Sequence, residues 1–398
     1  MSKRRVNKKS KAYKRRKRRR VIFGIELVVL LVLGVALFGF AYFNSKLDKM
    51  QDGKLDFSKI HVNKGVLQAD KNGKAGIELI ALAGLDSRDN SLTAGNRSDT
   101  IMIACVNHDE KSVKLVSIYR DTWLNVFTEN GGDKYSKCNA AYEIGGPEHM
   151  ITMMNKNLDL NITDFAAVNF KALSAAIDAL GGLDIDLTRA EIVHVNNYNK
   201  ETAKVSGVSY EKIDLPDKSE LDGAQTKTFH LNGTQSVSYA RIRKGDGADF
   251  RRAARQRLVL SKLMDKAKGA GLSQLNSLMD SIFPMVKTSL TKQEVMKMAQ
   301  VLLTYNLDME NGQMGFPLDH MWGEPVIKAM NGNDCVLPVT LETNVRKLHE
   351  FLYPGMDYEP SAEVKKYSDY IINESGFGED DIPSTSENGA IPVNPESN

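Results

Sequence analysis

The feature that most constrains this 398-residue chain is an apolar run, VIFGIELVVLLVLGVALFGFAYF, at positions 21–43, interrupted by a single charge at Glu26. About 20 helical residues cross the hydrocarbon of a bilayer, so this run is long enough to span one. Residues 1–20 contain 13 Lys and Arg and no acid, a cluster that stays on the cytoplasmic side of a span. The run leaves through GFAYFNSKL and not through a small-residue cleavage site, so it reads as an uncleaved signal anchor. The expectation is a single-pass membrane protein with a cytoplasmic N-terminus and everything after residue 43 extracellular. The basic block would set topology and touch anionic membrane lipid. Nothing aromatic or folded accompanies it, so nucleic acid is not an expected partner.

Removing those 13 basic residues and Glu26 from the totals of 53 basic and 50 acidic residues leaves 40 and 49, a net −9 over residues 44–398. Residues 44–74 are polar with weak helical periodicity and read as a stalk. A domain over 75–360 follows. IELIALAG (77–84), TIMIACV (100–106) and VKLVSI (113–118) have the short apolar pattern of strands. ALSAAIDALGG (172–182) reads as a helix closed by glycine, and LDIDL (183–187) as the next strand. The segment from Phe250 to about Lys268 is helical and basic, and TKQEVMKMAQVLLTYN (291–306) opens with a capping box of Thr291 and Glu294. CVLPV and a helix around Val345–Leu352 come near the end. Alternating helix and strand signals predict an α/β fold, a mixed central sheet flanked by helices. Residues 374–398, rich in Glu, Asp, Ser, Asn and Pro, read as a disordered acidic tail. Cys105, Cys138 and Cys335 are too few and too scattered for a disulfide framework.

The chemistry concentrates at strand edges. Asp86, Arg88, Arg97 and Asp99 occupy the loop between the first two strands, and SIYRDT puts Arg120 and Asp121 at the end of the third. Two carboxylates on one rim, with water and phosphate oxygens completing the shell, is the usual way to hold Mg²⁺. Paired turn aspartates balanced by Arg88 and Arg97 is the plainer alternative. In YARIRKGDGADFRRAARQ (239–256), Arg241 and Arg243 alternate as on one side of a strand. Arg252 and Gln256 share one helix face, and Arg251 and Arg255 another. Arginine recurs where lysine would serve for simple charge balance. Its planar fork binds phosphate oxygens in pairs, so the pattern points to a pyrophosphate. No GxxxxGK[ST] is present, which argues against a P-loop nucleotide site. His194, His230 and His320 lack metal-ligand spacing. No Ser-His-Asp pattern suggests a covalent intermediate.

GLDSR, NRSDTIMIACV, SIYRDT, NAAYEIGG, VNFKALSAAIDALGG and YARIRKGDGADFRRAARQ, in that order, resemble the LytR–CpsA–Psr family. The resemblance runs over about 77–265 and continues more weakly to about 355. It implies a phosphotransferase of the outer membrane face. Such an enzyme takes a glycopolymer (teichoic acid, capsule or another secondary wall glycan) from an undecaprenyl-pyrophosphate carrier. It attaches the polymer to peptidoglycan through a phosphodiester, with Mg²⁺ or Mn²⁺ as cofactor. The implied fold has an apolar tunnel for the polyprenyl chain. Carried over by position, the catalytic residues are Asp86, Asp99 and Arg120, with Asp86 and Asp99 on the metal. Arg97, Arg120, Arg241, Arg243, Arg252, Arg255 and Gln256 would hold the pyrophosphate. Tyr119 departs from the family pattern, which usually has proline there. Either Asp99 or an arginine-held water would take the acceptor's proton. Met264, Met279, Met285, Met296 and Met298 would line the tunnel or pack a core. Other readings are a membrane-anchored transcriptional attenuator, or a polyprenyl-pyrophosphate phosphatase or binding protein.

Overall fold

The computed structural model describes residues 41–66, 76–85, 87, 91–208, 210–243, 248–307, 311–322, 330 and 334–382. Two compact units are distinguished, Met1–Lys49 and Met50–Asn398. In the first, residues 41–47 are helical. Among the described residues no helix is long and apolar enough to cross a membrane, which corrects the expected transmembrane helix and single-pass membrane location. The apolar run itself lies, up to position 40, outside the described residues.

The second unit begins with β1 (Gln51–Asp52), β2 (Ile77–Leu85), β3 (Ser98–Asn107), β4 (Ser112–Ile118), β5 (Trp123–Asn125) and β6 (Tyr135–Lys137). Next come α1 (Ala140–Leu158), β7 (Asp164–Asn169), α2 (Phe170–Ala179), β8 (Leu183–Leu187), α3 (Arg189–Ser206), β9 (Lys227–Leu231) and α4 (Gly233–Ala240). The long helix α5 (Ala248–Lys268) is followed by α6 (Leu272–Ile282), β10 (Val286–Thr288), α7 (Lys292–Thr304), β11 (Asn306–Leu307) and β12 (Gln313–Phe316). The chain closes with β13 (His320–Trp322), β14 (Val336–Pro338), α8 (Leu341–Leu352) and α9 (Ala362–Ser375).

The main sheet runs β1-β10-β7-β2-β3-β4-β11, with β12 also pairing β4. β2 is parallel to β7 and antiparallel to β3, and β3 is antiparallel to β4. Apolar residues on both faces of these central strands follow from cover on both sides. One face carries Ala81, Ala83, Ile101, Ile103, Val116 and Ile118 into the largest core cluster, with Met150 and Met154 of α1 and Leu348 of α8. The other carries Ile80, Ala104, Val106, Val113 and Leu115 against Val301 of α7. The antiparallel pair β8–β9 and helices α2 to α5 build a satellite core around Ile185, Ile192 and Tyr239. The mixed sheet flanked by helices agrees with the sequence reading.

Two expectations need correction. β1 pairs with β10, and Leu55 is 5% exposed within the main core, so this part of the supposed stalk is built into the domain. The supposed tail begins inside α9, and Phe377 packs on the main core; residues 383–398 lie outside the described residues. Met264 and Met298 pack against the second sheet face, and Met296 is 38% exposed.

Candidate functional site

Sheet register decides which chain ends meet. Leu85, at the end of β2, is opposite both Ser98 at the start of β3 and Asn169 at the end of β7. Ile101 is opposite Ile118, so β4 delivers Arg120 to the same rim. Ligands of α/β sheets commonly bind at this edge, beyond the carboxyl ends of the parallel strands. The rim is tight: a Cβ on Gly84 would stand 2.9 Å from Thr100 Cβ.

At this rim Arg120 Nη1 donates to Asp99 Oδ1 at 2.5 Å, and Arg120 Nε lies 3.5 Å from Asp121 Oδ2. Asp121 is 7% exposed and also gathers Lys137 Nζ at 3.5 Å and Arg243 Nη2 at 3.3 Å. Among the described residues, three cations therefore face two carboxylates. Desolvated charges must be paired, and the pairing holds Arg120 in one orientation at a rim rich in cations. The N-terminus of α1 adjoins this group, since Asn139 N donates to Arg120 O at 3.1 Å. The Asn139 side chain makes no cap bond, and α1 kinks after little more than a turn, where Gly145 and Gly146 leave helical geometry.

The arginines of the two motifs separate into different environments. Arg243 belongs to the rim. Arg241 does not share its face, because α4 ends at Ala240 and Arg241 is the helix cap instead of a strand residue. Its guanidinium lies 4.9 Å above the Phe170 ring and donates to Thr202 Oγ1 at 2.9 Å. Phe170 opens α2 directly after Asn169, so Arg241 approaches the rim from the β7 side. Arg255 is held in a buried pair, with Nε and Nη2 on Glu191 Oε1 at 3.1 and 3.0 Å. Arg252 is also buried, and Gln256 is half-buried on the same helix. Arg97 is on the surface, bonded to Glu143 at 2.8 Å with 64% of its side chain exposed. Asp86 and Arg88 lie outside the described residues.

The expected Mg²⁺ or Mn²⁺ site is corrected. Among the described residues no group of three or more His, Cys, Asp or Glu side chains could hold a metal ion, and the Asp99 carboxylate is engaged by Arg120.

Sequence reasoning missed three participants. Asp121 was read only as a rim residue, but it is the hub. Lys137 reaches it from β6, a strand too short to register as a pattern. Arg257 is 4% exposed on α5, and its Nη1 has no hydrogen-bond partner among the described residues. Burial draws its guanidinium below the usual value, opposed by Tyr119. Burial likewise pushes the Tyr119 phenol up to about 12, with Arg257 opposing the shift. Tyr119 sits edge-on to Phe250 at 4.7 Å, and Phe250 packs on His320 at 4.2 Å, forming an aromatic plug under the start of α5. Burial of the Cys138 thiol, which donates to the carbonyls of Tyr119 and Arg120, raises its pKa and leaves it unreactive.

Residues 37–322 match the LytR_cpsA_psr family. The chain belongs to it. Among curated relatives of this LytR_cpsA_psr protein is the polyisoprenyl-teichoic acid–peptidoglycan teichoic acid transferase TagU of Bacillus cereus. It is 27% identical over 301 residues, covering 74% of this chain and 86% of the relative. The transferase TagV of Bacillus subtilis is 24% identical over 277 residues, covering 67% of this chain but 62% of its own length. The solved structure of protein gbs0355 from Streptococcus agalactiae aligns with a TM-score of 0.57 at 18% identity, over 75% of this chain and 95% of that one. That likeness concerns the fold.

Proposed function

We propose that this protein is a phosphotransferase that moves a glycopolymer from a polyprenyl-pyrophosphate carrier to a hydroxyl of peptidoglycan, leaving a phosphodiester. The observation that carries the reading is the rim where Arg120, Lys137 and Arg243 converge on two carboxylates. Family membership supports a transferase-type enzyme, and the names of the curated relatives supply the donor and acceptor classes.

In the proposed step the acceptor oxygen attacks the phosphorus that bears the glycan. The bond from that phosphorus to the bridging oxygen breaks, and polyprenyl phosphate leaves with the electron pair. The hydroxyl proton passes to the Asp99 carboxylate. Arg120 and Arg243 spread the charge that collects on the leaving phosphate, which is where fixed donors lower a barrier most. Arg241 steadies the donor from the β7 side, and Arg252 and Gln256 complete the cradle. Arg255 acts through Glu191 as a positioning residue and does not touch phosphate.

The test is incubation of the full-length chain with a lipid-pyrophosphate glycan and peptidoglycan oligomers, followed by mass spectrometry. A glycan–phosphate–peptidoglycan product is expected. Arg120→Ala and Asp99→Ala should each cut its formation on the order of 10³-fold. Near wild-type transfer by both variants would overturn the assignment, and release of free glycan phosphate alone would convert it to hydrolysis.

A further inference from the structure

The β5–β6 hairpin leads from the charged rim to a second feature. Tyr135 and Lys137 are two apart on β6, so their side chains leave the same face of the strand, about 7 Å apart along it. Lys137 reaches Asp121. Tyr135 stacks on Tyr370 of α9, with ring centroids 3.8 Å apart and planes 18° from parallel. Around this pair an open groove of about 650 Å³ is lined by Asp133, Lys366, Asp369 and Asn373. Tyr370 is 39% exposed at its mouth. Burial and the neighbouring Asp133 carboxylate keep the Tyr135 phenol protonated.

The chemistry of the groove is selective. Asp133 and Asp369 offset Lys365 and Lys366, and Lys366 Nζ is bonded to Asp133 Oδ2 at 2.7 Å. A polyanion therefore finds no net attraction here, in contrast to the rim. An exposed aromatic ring bordered by amide, carboxylate and ammonium groups suits a neutral pyranose. The C–H face of the sugar covers the ring while its hydroxyl and N-acetyl groups meet the polar rim. The family match ends at residue 322 and α9 begins at Ala362, so most of the groove is built from an element outside that match.

We propose that the Tyr135–Tyr370 groove is a subsite for neutral β-1,4-linked N-acetylhexosamine rings, and that it lays the peptidoglycan acceptor strand alongside the rim. The acceptor role rests on the phosphotransferase reading; the sugar binding does not. Lys137 and Tyr135 share one strand face, so a saccharide seated on the tyrosines continues along β6 towards Asp121 and Arg120.

The test is titration calorimetry of the full-length chain with the β-1,4-linked tetrasaccharide of N-acetylglucosamine, without lipid donor. Wild type should bind it. Tyr370→Ala should weaken binding by about tenfold and Tyr370→Phe by no more than about twofold, because the ring is what matters. Asn373→Ala, at an exposed position, gives a second reading if Tyr370→Ala melts early. No binding by wild type, equal binding by folded Tyr370→Ala and Asn373→Ala, or a preference for poly(glycerol phosphate) would overturn the proposal. Because no donor is present, the result is independent of whether Arg120→Ala loses transfer.

Discussion

Arg120 and Arg255 are both motif arginines paired with a carboxylate, yet they do opposite things. Arg120 shares two carboxylates with Lys137 and Arg243 at a strand rim, where among the described residues the cations outnumber the anions. Arg255 is paired with Glu191 in the interior, and the two side chains are 6% and 7% exposed. Glu191 also accepts from Thr188 N at 3.1 Å, so one carboxylate caps α3 and anchors α5. A guanidinium clustered with other cations at a rim can meet an anionic ligand, whereas one buried against a carboxylate fastens two helices. A motif reading that places both on a pyrophosphate merges two physical roles.

The contrast is broken most severely by Arg255→Ala. It removes both guanidinium bonds to the buried Glu191 carboxylate, and chemical denaturation should show a loss of about 3–5 kcal/mol. Arg120→Ala should instead unfold near the wild-type midpoint while transfer falls on the order of 10³-fold. If both variants lose stability alike, the division between rim and interior is wrong. A smaller effect comes from His320 in the aromatic plug. Burial holds its pKa below the usual histidine value, so the folded state resists a proton that the unfolded chain accepts. Stability is therefore full above about pH 6.5 and is lost as the pH falls through the depressed folded-state value. Melting curves between pH 7 and 5 should flatten in His320→Phe, and an unchanged slope would remove His320 as the cause. The smallest effect belongs to Arg97 and Glu143, whose pair is largely exposed. A double-mutant cycle should return a coupling below about 1 kcal/mol.

Much of the fold was legible. The apolar patterns at 77–84, 100–106 and 113–118 lie within β2, β3 and β4, and the Thr291–Glu294 capping box opens α7. These are local signals, and local physics produced them. The alternation of Arg241 and Arg243 suggests a strand, whereas Asn232 and Gln235 close a capping box that starts a helix over the preceding residues. The sequence shows Asp121 at a strand end but not its role, and nothing in it marks Lys137, because a hub is defined by neighbours. Arg243 is 122 residues from the carboxylate it pairs with. The groove at Tyr135 and Tyr370 was invisible for the same reason, since nothing near either tyrosine announces the other.

What the sequence determined by itself was the identity of the strands, the helix starts and the abundance of arginine at strand ends, because spacing along the chain encodes periodicity and capping. Tertiary structure alone decided which arginines face the rim and which are neutralised inside. That outcome depends on the register that aligns Leu85, Ser98 and Asn169, and on where α5 lays its buried face. Charge has meaning only with its desolvation and its partners, and both are set by contacts between residues far apart in the chain.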